Sequence, residues 1–420
     1  MINNIFLKYF PINEKKINKI ILFFVYLFPI SLISTSAINN IFILIIDIFF
    51  VIIFFKEKNY KLINNKSSIV LLFFWVYILM NLFSSIDLNN SLLRSIGVIR
   101  FIILALAIQY CFSLENNKYQ GKILSIWTII FFIISFDLIF ESIFGFNTVG
   151  FSSYMPGRLA SFLNTELKIG NFYFGFLFII AAYVCEKYKT IFFFLSLITF
   201  VSISLLIGER SNFAKVIISL LVFLFFFDKK LFELKKIITL ILISVICSII
   251  ILYSESRFSR FYGQFFNYIK QNGFSQYLNI SQNYAHNITA YRIFLNYPLV
   301  GVGVKNFYTE CVKDLYNDEK LNYNLARCST HPHQYYFEIL SETGVIGLIT
   351  FVFTFFYLLY TGFVTYFKKR NLILLGSLSF LTSSLIPFIP SGSFFTTYGA
   401  SIFWLNIGII LSFTNFKKNN

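Results

Sequence analysis

Apolar positions in this chain come in long unbroken runs separated by short polar stretches, without the alternation of half-buried strands. Ile20–Ile33, Ile41–Phe55 and Ile237–Leu252 are examples. A membrane-crossing helix needs about 20 such residues. About twelve windows qualify, near 19–36, 38–55, 67–86, 92–113, 122–144, 166–185, 190–208, 211–227, 235–254, 345–367, 371–387 and 398–415. The pattern predicts an all-α polytopic membrane protein of about 12 transmembrane helices. Composition agrees: 57% of residues are apolar and 13% charged, against about a quarter charged in soluble domains. A second window follows the first at once, which points to a retained span rather than a cleaved signal peptide.

One segment departs from the pattern. Residues 255–336 are polar and rich in Tyr and Asn. The expected organisation is therefore a bundle of about nine spans over 1–254, a large, mainly helical loop or cap over 255–336, and about three spans over 337–420. Smaller polar loops fall at about 145–165 and at Phe388–Thr397.

Charge orients this arrangement. With the N-terminus in the cytoplasm, every cytoplasmic segment is basic, as the positive-inside rule requires. Lys8, Lys15, Lys16 and Lys19 precede the first span. Lys56, Lys58, Lys61 and Lys66 follow the second, then Lys118 and Lys122, Lys187 and Lys189. Lys229, Lys230, Lys235 and Lys236 come next, then Lys368, Lys369 and Arg370, then Lys417 and Lys418. Both termini are thus expected in the cytoplasm and the large loop outside. The net charge of +16 reflects lysines facing anionic lipid, and no nucleic-acid partner is expected.

Eight of the nine arginines fall on or near the outer side: Arg94, Arg100, Arg158, Arg210, Arg257, Arg260, Arg292 and Arg327. The planar guanidinium suits bidentate contact with phosphate, so an anionic ligand is one reading and ordinary loop salt bridges the other. Arg100 lies about 9 Å deeper along its helix than Arg94. In the next span Asp137 and Glu141, four apart, share a face. Pairing between these spans is one expectation, and arginines lining an outward cavity the other. Cys311 and Cys328 share the large loop, where a disulfide would contribute roughly 3 kcal/mol.

The polar passage His331-Pro332-His333-Gln334-Tyr335 holds two of the three histidines, and His286 lies in the same region. Pro332 is suited to a first helical position, which would place His331 at a cap and His333 in the first turn. A helix N-terminus disfavours imidazolium, so a neutral His333 could accept a proton. Zinc binding and a structural role are the competing readings. Two further segments stand out. Arg292 precedes Asn296-Tyr297-Pro298-Leu299-Val300-Gly301-Val302-Gly303, whose glycines allow close backbone approach. Gly208-Glu209-Arg210 joins two spans on the outer side, where a Glu209–Arg210 surface pair would be the simplest role.

Together these segments resemble the O-antigen ligase and polymerase superfamily. His331 matches the family's earlier histidine. His333 begins its His-Asn-x-x-Leu-x-x-Leu-x-Glu-x-Gly pattern, with Phe337, Leu340, Glu342 and Gly344 at the later positions. Gln334 stands for the family's Asn and Phe337 for its first Leu. Pro298, Leu299, Gly301 and Gly303 match an Asn-Pro-Leu-x-Gly-x-Gly element, with Tyr297 inserted after Asn296. Gly208-Glu209-Arg210 matches a turn before a span. Gly157-Arg158-Leu159 with Ser161, Phe162 and Glu166 resembles an outer-loop motif.

The resemblance implies an inverting, metal-independent glycosyltransferase without a cofactor, acting at the periplasmic face of the bacterial inner membrane in lipopolysaccharide biosynthesis. The donor would be a glycan on undecaprenyl diphosphate. The acceptor would be lipid A-core for a ligase, or a second lipid-linked glycan for a polysaccharide polymerase. His333 would be the base, with Arg210 and Arg292 on the diphosphate. Arg158, Arg94, Arg100, His331, Glu342, Gly301 and Gly303 would complete the substrate-binding site. A lipid-glycan transporter or flippase is the non-enzymatic alternative, but transporters place their sites near the bilayer midplane, and here the polar groups gather on one side.

Overall fold

The computed structural model describes residues 13–115, 117–164, 166–227, 233–318 and 327–414. Lys8, Lys229, Lys230, Lys417 and Lys418 lie outside these residues, as do the side chains of Arg257 and Arg260. Every apolar window falls on helix. The main helices are α1 (Glu14–Tyr26), α2 (Phe28–Ile33), α3 (Ser36–Glu57), α4 (Lys66–Met80), α5 (Leu88–Ser113), α6 (Lys118–Phe144) and α7 (Ile169–Lys187). They continue as α8 (Thr190–Leu206), α9 (Arg210–Phe226), α10 (Glu233–Tyr253), α11 (Gln282–Asn296), α12 (Tyr335–Lys369), α13 (Leu372–Ser384) and α14 (Thr397–Thr414). Among the described residues, eight helices are long and apolar enough to cross a membrane, and α8 and α13 are shorter and apolar. No strand occurs among the described residues. The chain is an all-α polytopic membrane protein.

Polar residues between the windows set the helix ends. Thr35 caps α3 by accepting from Ile38 N at 3.3 Å. Asn65 caps α4 through Ser68 N at 2.9 Å, Asp87 caps α5 through Asn89 N at 3.0 Å, and Asn371 caps α13 through Leu374 N at 2.9 Å. Each satisfies a backbone donor that the first helical turn leaves open. Pro29, near the start of α2, splits the first window in two. In the packed bundle, α14 lies against α5, and α13 against α7 and α9. Between Tyr253 and Gln282 the polar segment forms short helices, including a π-helical stretch at Ser259–Asn267.

The two ends of the bundle differ. At one end the connections bond to one another: Ile86 N to Val302 O at 3.0 Å, Leu159 N to Ile207 O at 3.1 Å, and Ser391 N to His333 O at 2.8 Å. At the other end lie the short turns that carry Lys58, Lys61, Lys118, Lys187, Lys189 and Lys368. There Tyr110 Oη donates to Glu57 at 2.7 Å and Lys369 Nζ to Phe413 O at 2.6 Å. A disulfide joins Cys311 and Cys328 at a Cα separation of 5.4 Å in the loop end.

The pairing of Arg94 and Arg100 with Asp137 and Glu141 does not form. Asp137 accepts from Thr148 N at 2.8 Å and from Ser161 Oγ at 2.5 Å. Glu141 accepts from Ala160 N at 3.1 Å and Ser161 N at 2.7 Å. The two carboxylates do share a face, but it meets the loop that follows their own helix, whose free N–H groups are the nearer donors. Arg100 instead donates to Asn40 Oδ1 at 3.1 Å and Thr397 Oγ1 at 2.9 Å. Arg94 reaches Phe395 O at 3.5 Å. Both arginines thus bind the base of the loop before α14.

Candidate active site

The loop before α14 is tied down on its other side by α12. The Glu338 carboxylate accepts from Ser393 Oγ and from Phe394 N at 2.7 Å. The Phe394 ring is buried against Phe351, Phe355, Phe403 and Trp404. An apolar anchor and a carboxylate therefore fix residues 393–395, and residues 387–391 project from them toward the histidines.

The start of α12 differs from the expectation. Pro332 does not open the helix; Tyr335 does. Gln334 is the cap, and its side-chain oxygen accepts from Tyr336 N at 2.6 Å and Phe337 N at 3.1 Å. Its amide donates to Pro387 O at 2.7 Å. With these three bonds Gln334 outcompetes the proline as the start signal. His333 consequently lies outside the helix, with a φ of 60°, a conformation unusual for a non-glycine residue. Its carbonyl accepts from Ser391 N at 2.8 Å.

This bend brings all three histidines together. The His331 and His333 rings lie 4.1 Å apart between centroids. His286, from α11, stacks on His333 at 5.2 Å and 25°. His333 Nε2 pairs with Ser329 Oγ at 3.2 Å, and His331 Nδ1 with Thr330 Oγ1 at 2.9 Å. Burial lowers the His333 pKa below its ordinary value. Burial, then His333, Lys305 and His286, push His331 down to about 3. Both rings are neutral at pH 7, and the cause is burial rather than a helix terminus. Among the described residues, no group of three or more His, Cys, Asp or Glu is arranged to hold a metal ion.

Beside the histidines, α12 breaks at Gly344, with φ 67° and ψ −170°. The break strands helical carbonyls and N–H groups, and the loop after α11 satisfies them. Val302 N donates to Ser341 O at 3.1 Å and Gly303 N to Glu342 O at 2.8 Å. Val345 N donates to Pro298 O at 2.9 Å. A Cβ on Gly301 would lie 2.5 Å from Thr343 N, and one on Gly303 2.8 Å from Ser85 Cα. The Glu342 carboxylate accepts from Lys305 N at 2.8 Å and Phe307 N at 3.3 Å. The close approach that these glycines permit is thus made by the chain's own backbone.

Two motifs far apart in sequence meet at a second place. Leu159 N binds Ile207 O, and Gly208 lies directly against the Gly157 carbonyl. Glu209 pairs with Arg158 at 2.8 Å rather than with its neighbour Arg210. Burial raises the Glu209 pKa, and Arg158 opposes that rise. Arg210 is left exposed, without an ion pair or hydrogen bond among the described residues. It lines a cavity of about 500 Å³ with Arg158, Tyr277, Asn283 and Pro390. It also lines an adjoining cavity of about 700 Å³ with Tyr277, Gln282 and Asn283. Together they form a cleft roofed by the short helices after α10. Two chain connections carry this cleft to the histidines: Asn283 is one turn before His286, and Pro390 precedes the Ser391 that binds His333.

Arg292 is placed elsewhere. Its Nη2 pairs with Asp318 Oδ2 at 2.5 Å, and its Nη1 reaches Asn317 O at 3.4 Å. No hydrogen bond or ion pair among the described residues joins Arg292, Arg94 or Arg100 to His331, His333 or Arg210. His286, His331 and His333 thus form one cluster, and Arg158 and Arg210 share a cleft whose lining residues Asn283 and Pro390 neighbour that cluster along the chain. Glu342, Gly301 and Gly303 form the adjoining interlock. Sequence reasoning did not assign a role to Glu338; its place four residues before Glu342, on the same helical face, was the available signal.

Residues 194–352 match the family model described as O-antigen ligase. This part of the chain, less than half of it, is similar to the O-antigen ligase family. The match runs from α8 into α12 and takes in Arg210, His286, Arg292, Gly301, His333 and Glu342. Arg158 and the 387–395 loop lie outside it, yet they wall the same cleft. No curated protein matches the chain. By its apolar helices the chain is a multi-pass membrane protein, and residues 194–352 carry its similarity to O-antigen ligases.

Proposed function

We propose that the chain transfers a glycan from undecaprenyl diphosphate to a sugar hydroxyl of lipid A-core at the periplasmic face of the inner membrane, with both termini cytoplasmic. The observation that carries this reading is the cleft: it holds an unpaired guanidinium, and its lining residues Asn283 and Pro390 lie along the chain next to the elements that carry the histidine cluster. In the proposed step the acceptor O–H gives its proton to His333, and its oxygen bonds to the anomeric carbon of the donor. The anomeric C–O bond to phosphate breaks, its electron pair leaves with the polyprenyl diphosphate, and the configuration inverts. No metal takes part. With Ser329 Oγ on His333 Nε2, Nδ1 would be the atom that takes the proton.

Arg210 would bind the diphosphate and stabilise its growing charge, a contact worth about 3–4 kcal/mol in comparable sites. Arg158 would act through Glu209, keeping that carboxylate from claiming Arg210. Arg292 would give a second phosphate contact by exchanging Asp318 for the ligand. His286 would be a positioning residue that holds the His333 ring by stacking. Arg94 and Arg100 would hold the 387–397 wall, and Glu342, Gly301 and Gly303 the opposite one.

The test is transfer by purified protein in defined lipid, given lipid-linked glycan with and without lipid A-core. His333→Ala is expected to lose about 10²–10⁴-fold in rate at a normal unfolding temperature. Full activity of that variant would remove the base from the mechanism. A ladder of lengthened lipid-linked chains made without core acceptor would assign a polymerase instead.

A further inference from the structure

The lysine end holds a large cavity that the glycan chemistry does not use. It has a volume of about 920 Å³ and lies between the end of α3, the start of α4, the end of α5 and the C-terminal part of α12. Lys61, Lys66, Asn64, Gln109, Tyr357 and Tyr360 are among its lining residues. Lys61 and Lys66 are exposed and have no partner among the described residues. The acidic groups nearby are occupied. Glu57 accepts from Tyr110 Oη at 2.7 Å, and Glu115 from Lys118 Nζ at 2.9 Å. Lys118 offsets Glu115, and Lys61 and Lys66 outnumber the remaining carboxylate, Glu57, so the mouth is net positive.

A second observation points to a ligand. Gln109 is 1% exposed, yet its buried side-chain Oε1 has no hydrogen-bond partner among the described residues. An unsatisfied buried amide costs about 1–3 kcal/mol. The adjacent Tyr110, by contrast, bonds to both Glu57 and Asn18 Oδ1, the latter at 3.0 Å. Gln109 lies four residues before the end of α5, about 6 Å into the bundle, so the cavity reaches from the charged mouth to interfacial depth. Its size separates the possible anions. A water occupies about 30 Å³ of liquid, and a lone phosphate would leave most of this space empty. A lipid headgroup with its glycerol would fill more of it, beside the interfacial rings of Tyr357 and Tyr360.

We propose that this cavity binds the phosphate-bearing headgroup of a membrane lipid, with Lys61 and Lys66 on the phosphate and the Gln109 amide on the glycerol. The test is native mass spectrometry of delipidated full-length protein titrated with phosphatidylglycerol, and separately with inorganic phosphate. Wild type should hold one lipid at least tenfold more tightly than the Lys61→Ala/Lys66→Ala variant, and millimolar phosphate should not displace it. Lys187→Ala/Lys189→Ala, at the same end, should bind as wild type. The two lysines are exposed, so their replacement leaves folding intact, and an unchanged unfolding temperature checks this. Gln109→Leu keeps the volume and should weaken binding at least threefold. Equal binding by wild type and the Lys61→Ala/Lys66→Ala variant would overturn the proposal, as would displacement of the lipid by free phosphate.

Discussion

The break at Gly344 and the cleft at Arg210 lie at the same end of the bundle and both contain motif residues, yet they are built in opposite ways. At the break, the stranded groups of α12 find partners: Ser341 O, Glu342 O and Val345 N all bond to residues 298–303. In the cleft, Arg158 and Glu209 neutralise each other and Arg210 is left over. A motif residue whose groups are all engaged is holding the fold. A charged one with nothing to bind is available to a ligand. The comparison separates the glycines and Glu342 from Arg210, although sequence resemblance treats them alike.

Substitutions at the two places should fail differently. Gly301→Ala adds a Cβ at a φ of 68° and 2.5 Å from Thr343 N. It should cost more than about 3 kcal/mol, the range for backbone strain combined with overpacking, read as a lowered unfolding temperature together with lost activity. A normal unfolding temperature with lost activity would instead make the interlock part of the substrate site.

Arg292 tests the boundary between the two classes, because it is engaged but by a replaceable carboxylate. Asp318→Asn should free it and lower the KM for the lipid-linked donor by up to about tenfold, whereas Arg292→Ala should raise it. If Asp318→Asn behaves like Arg292→Ala, Arg292 is a clasp on residues 316–318.

A further effect concerns pH. His331 binds its proton near pH 3 when folded and near 6.5 when unfolded. Between those values the unfolded chain holds more protons, so stability is fully present above pH 6.5 and falls as pH drops toward 3. The slope is at most about 1.4 kcal/mol per pH unit. His331→Phe should flatten the decline in unfolding temperature between pH 6.5 and 5; an unchanged decline would assign it to other groups.

Much of this architecture is legible in the chain. Apolar runs mark the helices, and Thr35, Asn65, Asp87 and Asn371 mark their starts, because capping is a local interaction. The histidines and Gly208-Glu209-Arg210 mark the site end by their type alone. Long-range choices among competing partners are not legible. Asp137 and Glu141 could satisfy arginines or loop N–H groups, and only the fold shows which are nearer. Pro332 and Gln334 are both start signals, and Gln334 prevails because Pro387, from a loop 53 residues away, also binds it. Glu209 could pair with Arg158 or Arg210, and the contact of Gly157 with Gly208 decides for Arg158.

The central claim is that the unpaired guanidinium in the cleft serves the reaction and not the fold. The most direct measurement is the transfer rate of purified Arg210→Ala at saturating donor, beside its unfolding temperature. The account predicts a rate about 10²–10³-fold below wild type with an unchanged unfolding temperature. A wild-type rate would contradict it.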